Sequence, residues 1–234
     1  MEKLYMCGRN SVIEAIQSNY PIECCFVSNE NALQEIKKIN NNIKVIVQDK
    51  LELNKKTSQN HQGYIALIRE INFYDFEILK KDLPNKVLVL DHLYDPHNFG
   101  AILRTANAFG IKHIIYPKDR SVEINSTVLK ISSGGFIGIK FIKVNSISAT
   151  ITKLKNMNFW TYGTVLNSKA SSLLKTNFNF PLALVVGNEE KGTSKSTLSL
   201  VDSFIYIPQE GTVQSLNVSV ATGILLYEIS KQQK

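Results

Sequence analysis

Six short apolar runs in the second part of the chain, VLVLDHL, KHIIYP, IKFIKV, FWTYGTV, PLALVVGN and SFIYIP, limit the possible folds most severely. The first is apolar at nearly every position rather than at alternate ones, as a strand covered on both faces requires. Helical patterns at 96–109, 147–157, 193–200 and 217–230 intervene. Strands and helices in this alternation specify an α/β fold, with a mostly parallel sheet and helices on both faces.

The first part alternates too. SVIEAIQSN reads as a helix, IECCFVS as a strand, NALQEIKKIN as a helix, IKVIVQ as a strand and GYIALIREI as a longer strand. These describe a small α/β domain over residues 1–72. NFYDFEILKKDLPN reads as a linker over 73–85, and Pro84–Asn85 forms the seam before the next strand. Residues 86–234 then make the second domain.

Composition narrows the class. No run reaches the length of a membrane span, and MEKLYMCGRN lacks the apolar core of a signal peptide. Cys7, Cys24 and Cys25 are odd in number, two are adjacent, and no metal-binding spacing accompanies them. Reduced core cysteines, a cytoplasmic location and no structural zinc are expected. The net charge is +7, with 11 basic and 10 acidic residues in 1–81 against 16 and 10 in 82–234. That excess permits a polyanionic partner without establishing one. Only four of the 27 basic residues are Arg, so each is a candidate for planar bidentate contact.

Three loops following buried strands carry polar residues. In DPHNFGAILRTANAFG, Asp95 suits an N-cap, Pro96 the first helical position and Gly110 the stop. Phe99, Ile102, Leu103, Ala106 and Phe109 share one arc of the helix, with Asn98 at its edge. Asn98 reads equally as a first-turn cap or a functional amide. Arg104 points away from the arc, towards solvent, RNA or a partner subunit. VVGNEEKG is a Gly-bearing turn, yet neither Gly187 nor Gly192 belongs to a dinucleotide or P-loop pattern. In IPQEGTVQSLNVSVATGILLYE, Ser215 suits a cap for a helix starting near Leu216, and Asn217 reads as a second capping amide. Ligands of open α/β sheets bind at the carboxyl ends of strands, so the three loops can converge there.

These stretches resemble the three motifs of the SpoU/TrmH class of RNA 2′-O-ribose methyltransferases. DPHNFGAILRTA is similar to the first, LVVGNEEKG to the second and IPQEGTVQSLNVSVATGILLYE to the third. CGRNSVIEAIQSN and HQGYIALIRE resemble the class's small substrate-binding domain, similar to a ribosomal L30e-type protein. YPKDRSVEINSTVLKISSGG resembles the branch that methylates a guanosine of large-subunit (23S) rRNA.

The resemblance implies a knotted SPOUT-like methyltransferase domain that uses S-adenosylmethionine and works as a homodimer. Asn98, Arg104, Glu189, Ser215 and Asn217 match its functional polar positions. Gly187, Ile207 and Leu216 match positions that hold the cofactor, largely through the backbone. Arg104 would then serve the neighbouring subunit's site. The implied partner is 23S rRNA or a large-subunit assembly intermediate, rather than DNA or a membrane. Methylation of tRNA by the same chemistry and non-catalytic RNA binding are the alternatives. Two departures stand out: Glu190 where the class commonly has Gly, and SSGGF where it has a small Ala-Gly-Ala-like turn.

Overall fold

The computed structural model describes residues 3–58, 60–165, 170–188 and 192–233. The chain divides into two compact units, Met1–Ile71 with Glu123–Ile137, and Asn72–Val122 with Gly138–Lys234. Residues 123–137, placed in the second domain from the sequence, pack with the first unit. Residues 73–85, read as a linker, pack with the second.

The first unit contains β1 (Leu4–Cys7), α1 (Arg9–Gln17), β2 (Ile22–Val27), α2 (Glu30–Ile39), β3 (Val45–Val47), α3 (Lys50–Lys56) and β4 (Tyr64–Ile68). Its sheet runs β1-β4-β2-β3, with β4 antiparallel to both neighbours and β2 parallel to β3. Central placement explains why all five residues of β4 are buried. Helix α3 carries no long apolar periodicity. It forms because Asp49 accepts from the Glu52 amide at 2.8 Å while Leu53 is fully buried. All three cysteines are free and buried, and burial pushes the Cys25 thiol up to about 12.

The second unit opens with α4 (Ile78–Asp82), β5 (Lys86–Asp91), α5 (Pro96–Ala108) and β6 (His113–Pro117). Next in the chain comes α6 (Ser126–Ser132), which contacts β1 in the first unit. The second unit resumes with β7 (Lys140–Val144), α7 (Ile147–Asn156), β8 (Trp160–Thr164), β9 (Ser171–Ser172), β10 (Leu182–Gly187), α8 (Lys195–Leu198), β11 (Ser203–Tyr206) and α9 (Val218–Gln232). The seven strands lie in the order β7-β6-β5-β10-β8-β11-β9, and every ladder between them is parallel.

Burial on both faces accounts for the continuous apolar reading of β5. Val87 and Val89 pack with Leu79 of α4 and with Ile147, Ile151 and Leu154 of α7. Leu88 and Leu90 alternate to the other face and are also fully buried. There Phe99 of α5 meets Tyr116 of β6 edge-on, with ring centroids 5.3 Å apart.

Candidate active site at the carboxyl edge of the sheet

Because the strands are parallel, their carboxyl ends share one edge. Asp91 ends β5 and pairs in register with Gly187, which ends β10. Beyond β5 the chain turns into α5 through Asp95, whose carboxylate accepts from the His97 amide at 2.9 Å and the Asn98 amide at 3.4 Å. Pro96 occupies the first turn, where its missing donor costs nothing. This rigid entry buries Asn98 to 9% exposure.

Asn217 provides the complementary entry to α9. Its Oδ1 accepts from the Ser219 amide at 2.9 Å and the Val220 amide at 3.3 Å. Its Nδ2 donates to Asn98 Oδ1 at 3.0 Å, across 119 residues of sequence. The first and third polar loops therefore meet through one amide–amide hydrogen bond. The expected cap at Ser215 is corrected: α9 begins at Val218, Asn217 is its cap, and Ser215 is exposed two residues upstream. Only Asn217 is placed for its side chain to reach the second and third helical amides.

The second loop is drawn tight by backbone contact. Asn188 and Gly192 exchange hydrogen bonds of 3.2 and 3.1 Å. A Cβ at Gly187 would lie 1.9 Å from the Thr193 nitrogen, so no side chain fits there. Glu189 and Glu190 lie outside the described residues. Ile207, half-buried, follows β11, which is joined to β10 through β8. Leu216 is half-buried immediately before the Asn217 cap.

Sequence reasoning missed Asp91. This carboxylate is 1% exposed; it accepts from the Ser194 amide at 2.9 Å and pairs with His92 Nδ1. It ties the end of β5 to the residues following the second loop. Its sequence signal was a lone acidic residue closing an apolar strand. Two further polar atoms near the second and third loops, Thr193 Oγ1 and Gln209 Oε1, are buried without a hydrogen-bond partner among the described residues. Such atoms are costly unless a ligand satisfies them. Their presence beside Gly187 and Ile207 fits a small polar ligand. Among the described residues, no group of three His, Cys, Asp or Glu side chains could hold a metal ion.

Arg104 is exposed on α5. Helices α5 and α9 pack side by side. A Cβ at Gly223 would sit 3.5 Å from Thr105, and the Phe109 and Tyr227 rings meet edge-on at 6.2 Å. On α9, Val220, Ile224 and Tyr227 are 51%, 38% and 56% exposed. Their spacing puts them on one side of the helix, forming an uncovered apolar stripe.

In the first unit Arg9 is held by Glu35. Its Nε donates to that carboxylate at 3.1 Å, a second guanidinium nitrogen forms an ion pair with it, and the Tyr64 hydroxyl also donates to it. Arg9 Nη2 and the Tyr64 hydroxyl hold the Glu35 carboxyl below its ordinary range. Half-exposed, the guanidinium presents a fixed plane at the surface.

Comparison with known proteins places these features in context. Residues 85–227 match the model of the SpoU rRNA methylase family, and residues 5–74 match that of RNA 2′-O ribose methyltransferase substrate binding. A Staphylococcus aureus (strain COL) protein, assigned by name to the TrmH family of tRNA/rRNA methyltransferases, is 37% identical, covering 100% of this chain and 98% of its own length. The AdoMet-bound rRNA methyltransferase from Sinorhizobium meliloti shares the fold at a TM-score of 0.79 with 21% identity, covering 99% of this chain and 87% of its own. The A. aeolicus TrmH/SpoU tRNA modifying enzyme is 32% identical at a TM-score of 0.59, covering 67% and 84%.

Proposed function

The chain belongs to the SpoU rRNA methylase family, and from that premise we propose that it methylates the ribose 2′-hydroxyl of a guanosine in large-subunit rRNA. The donor is S-adenosylmethionine, which supplies an activated methyl group on a sulfonium. The hydrogen bond between Asn98 and Asn217 carries this reading, because it joins two of the three family motifs at the edge where ligands bind.

The protein's task is alignment, which is worth roughly 7–11 kcal/mol in favourable intramolecular cases. Gly187, Ile207 and Leu216 hold the cofactor through backbone groups, while Thr193 and Gln209 offer it unsatisfied oxygens. Asn98 and Asn217 fix the two loops beside the methyl, with Ser215 and Glu189 completing the set of polar groups. Arg104 grips the target phosphate or the attacking oxygen and stabilises the charge that develops there.

A second copy of the chain explains how Arg104 reaches a site. The apolar stripe at Val220, Ile224 and Tyr227 is uncovered on the helix packed beside Arg104's own. An isologous dimer burying that stripe lends each guanidinium to the other subunit. The rRNA target is favoured over tRNA by the N-terminal substrate-binding unit and by the KDRSVEINS stretch, which resembles the rRNA-methylating branch.

Ribose methylation mapped by mass across large-subunit RNA, from cells with and without the protein, tests the assignment. One guanosine methyl should disappear with the protein. Purified protein that methylates whole tRNA and leaves rRNA fragments untouched would refute the target.

A further inference from the structure

The opposite edge of the seven-stranded sheet carries a second concave site. Neighbouring strands β5, β6 and β7 begin with Lys86, His113 and Lys140. These residues, with Lys112 and Asp82, line a cavity of about 550 Å³. It lies one strand length, roughly 17 Å, from the carboxyl edge that carries the family motifs.

Positive charge in this cavity is incompletely matched. Among the described residues Asp82 is the only carboxylate lining it, and its Oδ2 already meets His113 Nε2 at 2.7 Å and forms an ion pair with Lys140. Lys86 Nζ donates at 2.9 Å to the Phe109 carbonyl, a neutral acceptor at the end of α5. Burial holds its pKa below the ordinary lysine value. Lys112 is exposed, and among the described residues neither it nor Lys86 forms an ion pair. Capping α5 accounts for Lys86 alone. It leaves Lys112 and the concave shape without a role.

We propose that this cavity binds a phosphate-bearing anion, supplied either by a free ribonucleotide or by the backbone of the RNA strand. Lysines suit phosphate as compact point charges, and partial desolvation strengthens the attraction. The cavity lies within the usual range for small-molecule sites. Its occupancy requires no methyl transfer, so a binding test stands apart from the assigned reaction.

Full-length protein is titrated calorimetrically with AMP and, separately, with short oligouridylate. Lys112→Glu should weaken binding by about tenfold or more, as expected when a charge-assisted hydrogen bond is removed. Lys112→Arg should preserve it. Lys175→Glu, which changes an exposed lysine outside the cavity, controls for net charge. Weakened AMP binding identifies a free nucleotide as occupant. An effect on oligouridylate alone, with the salt slope reduced by about 0.7 for each phosphate no longer neutralised, identifies the RNA strand. The proposal is overturned if wild-type protein binds neither ligand, if Lys112→Glu binds both unchanged, or if Lys175→Glu weakens them equally. Thermal melts of each variant separate altered binding from unfolding.

Discussion

Because Asn217 places its oxygen on helix amides and its nitrogen on Asn98, substitution can separate its two contributions. Asn217→Ala removes both and should cost about 1–2 kcal/mol of stability, together with methyl transfer. Asn217→Asp keeps the cap but turns the contact with Asn98 into oxygen against oxygen. Its melting temperature should stay closer to wild type than that of Asn217→Ala while transfer is abolished. Arg104 gives the complementary result. As an exposed residue it can be truncated without disturbing the core, so Arg104→Ala should fold and bind S-adenosylmethionine normally but lose turnover on RNA. Near-wild-type turnover would remove it from the site.

His61 illustrates a role that composition cannot show. It is 5% exposed; its Nδ1 accepts from the Gly63 amide at 3.0 Å, and its Nε2 faces Asn54 Oδ1 at 3.0 Å. Those partners require the neutral ring protonated on Nε2. Burial, aided by Lys50, lowers its pKa below the ordinary imidazole value of about 6.5. Between those two values the unfolded chain binds more protons than the folded one, so stability rises with pH. Melts from mildly acid to neutral pH should show stability falling as pH drops below about 6.5. His61→Gln should flatten that segment of the curve, and an unchanged slope would exclude His61 as its source.

Among the elements, legibility followed the strength of the local signal. Strands β5 and β10 were evident because burial on both faces leaves no polar position in their centres. Helix α3 was missed because one buried leucine gives no period, although the Asp49 cap was visible in principle. Helix α9 was read from its length and misplaced at its start. Ser215 and Asn217 are both capable caps by residue type, and the structure selects Asn217, whose oxygen meets the Ser219 and Val220 amides while its nitrogen meets Asn98. Asp91 was hidden by its own strand: an acidic end to an apolar run looks like solvent exposure, whereas Ser194 encloses it.

The exposed side of α9 carries its own prediction. Ile224→Lys places a charge in the apolar stripe while leaving the helix propensity nearly intact. The proposed dimer should then give way to monomer in sedimentation, and methyl transfer should fall with it. A dimer of unchanged stability would mean that another surface joins the subunits.

Across the chain, the division into units differs from the order of the sequence. Helix α6 lies between β6 and β7 in sequence but packs against β1, with Val128 and Leu129 fully buried. A fragment spanning 73–234 would lose that cover and leave α6 with an exposed apolar face. It should aggregate or melt well below the intact protein by light scattering and calorimetry. A fragment in which a short polar loop replaces 123–137 should behave better. Equal solubility of both would show that α6 finds other shelter.

The polypeptide therefore passes from one compact body to the other three times, near residues 71, 122 and 137. A protease nicking near residue 71 leaves residues 1–71 held only by non-covalent packing on 123–137, and the two bodies part intact only when every passage is severed. The small unit is completed by a stretch borrowed from the middle of its neighbour's sequence. Neither body could be transplanted into another protein as one continuous cassette.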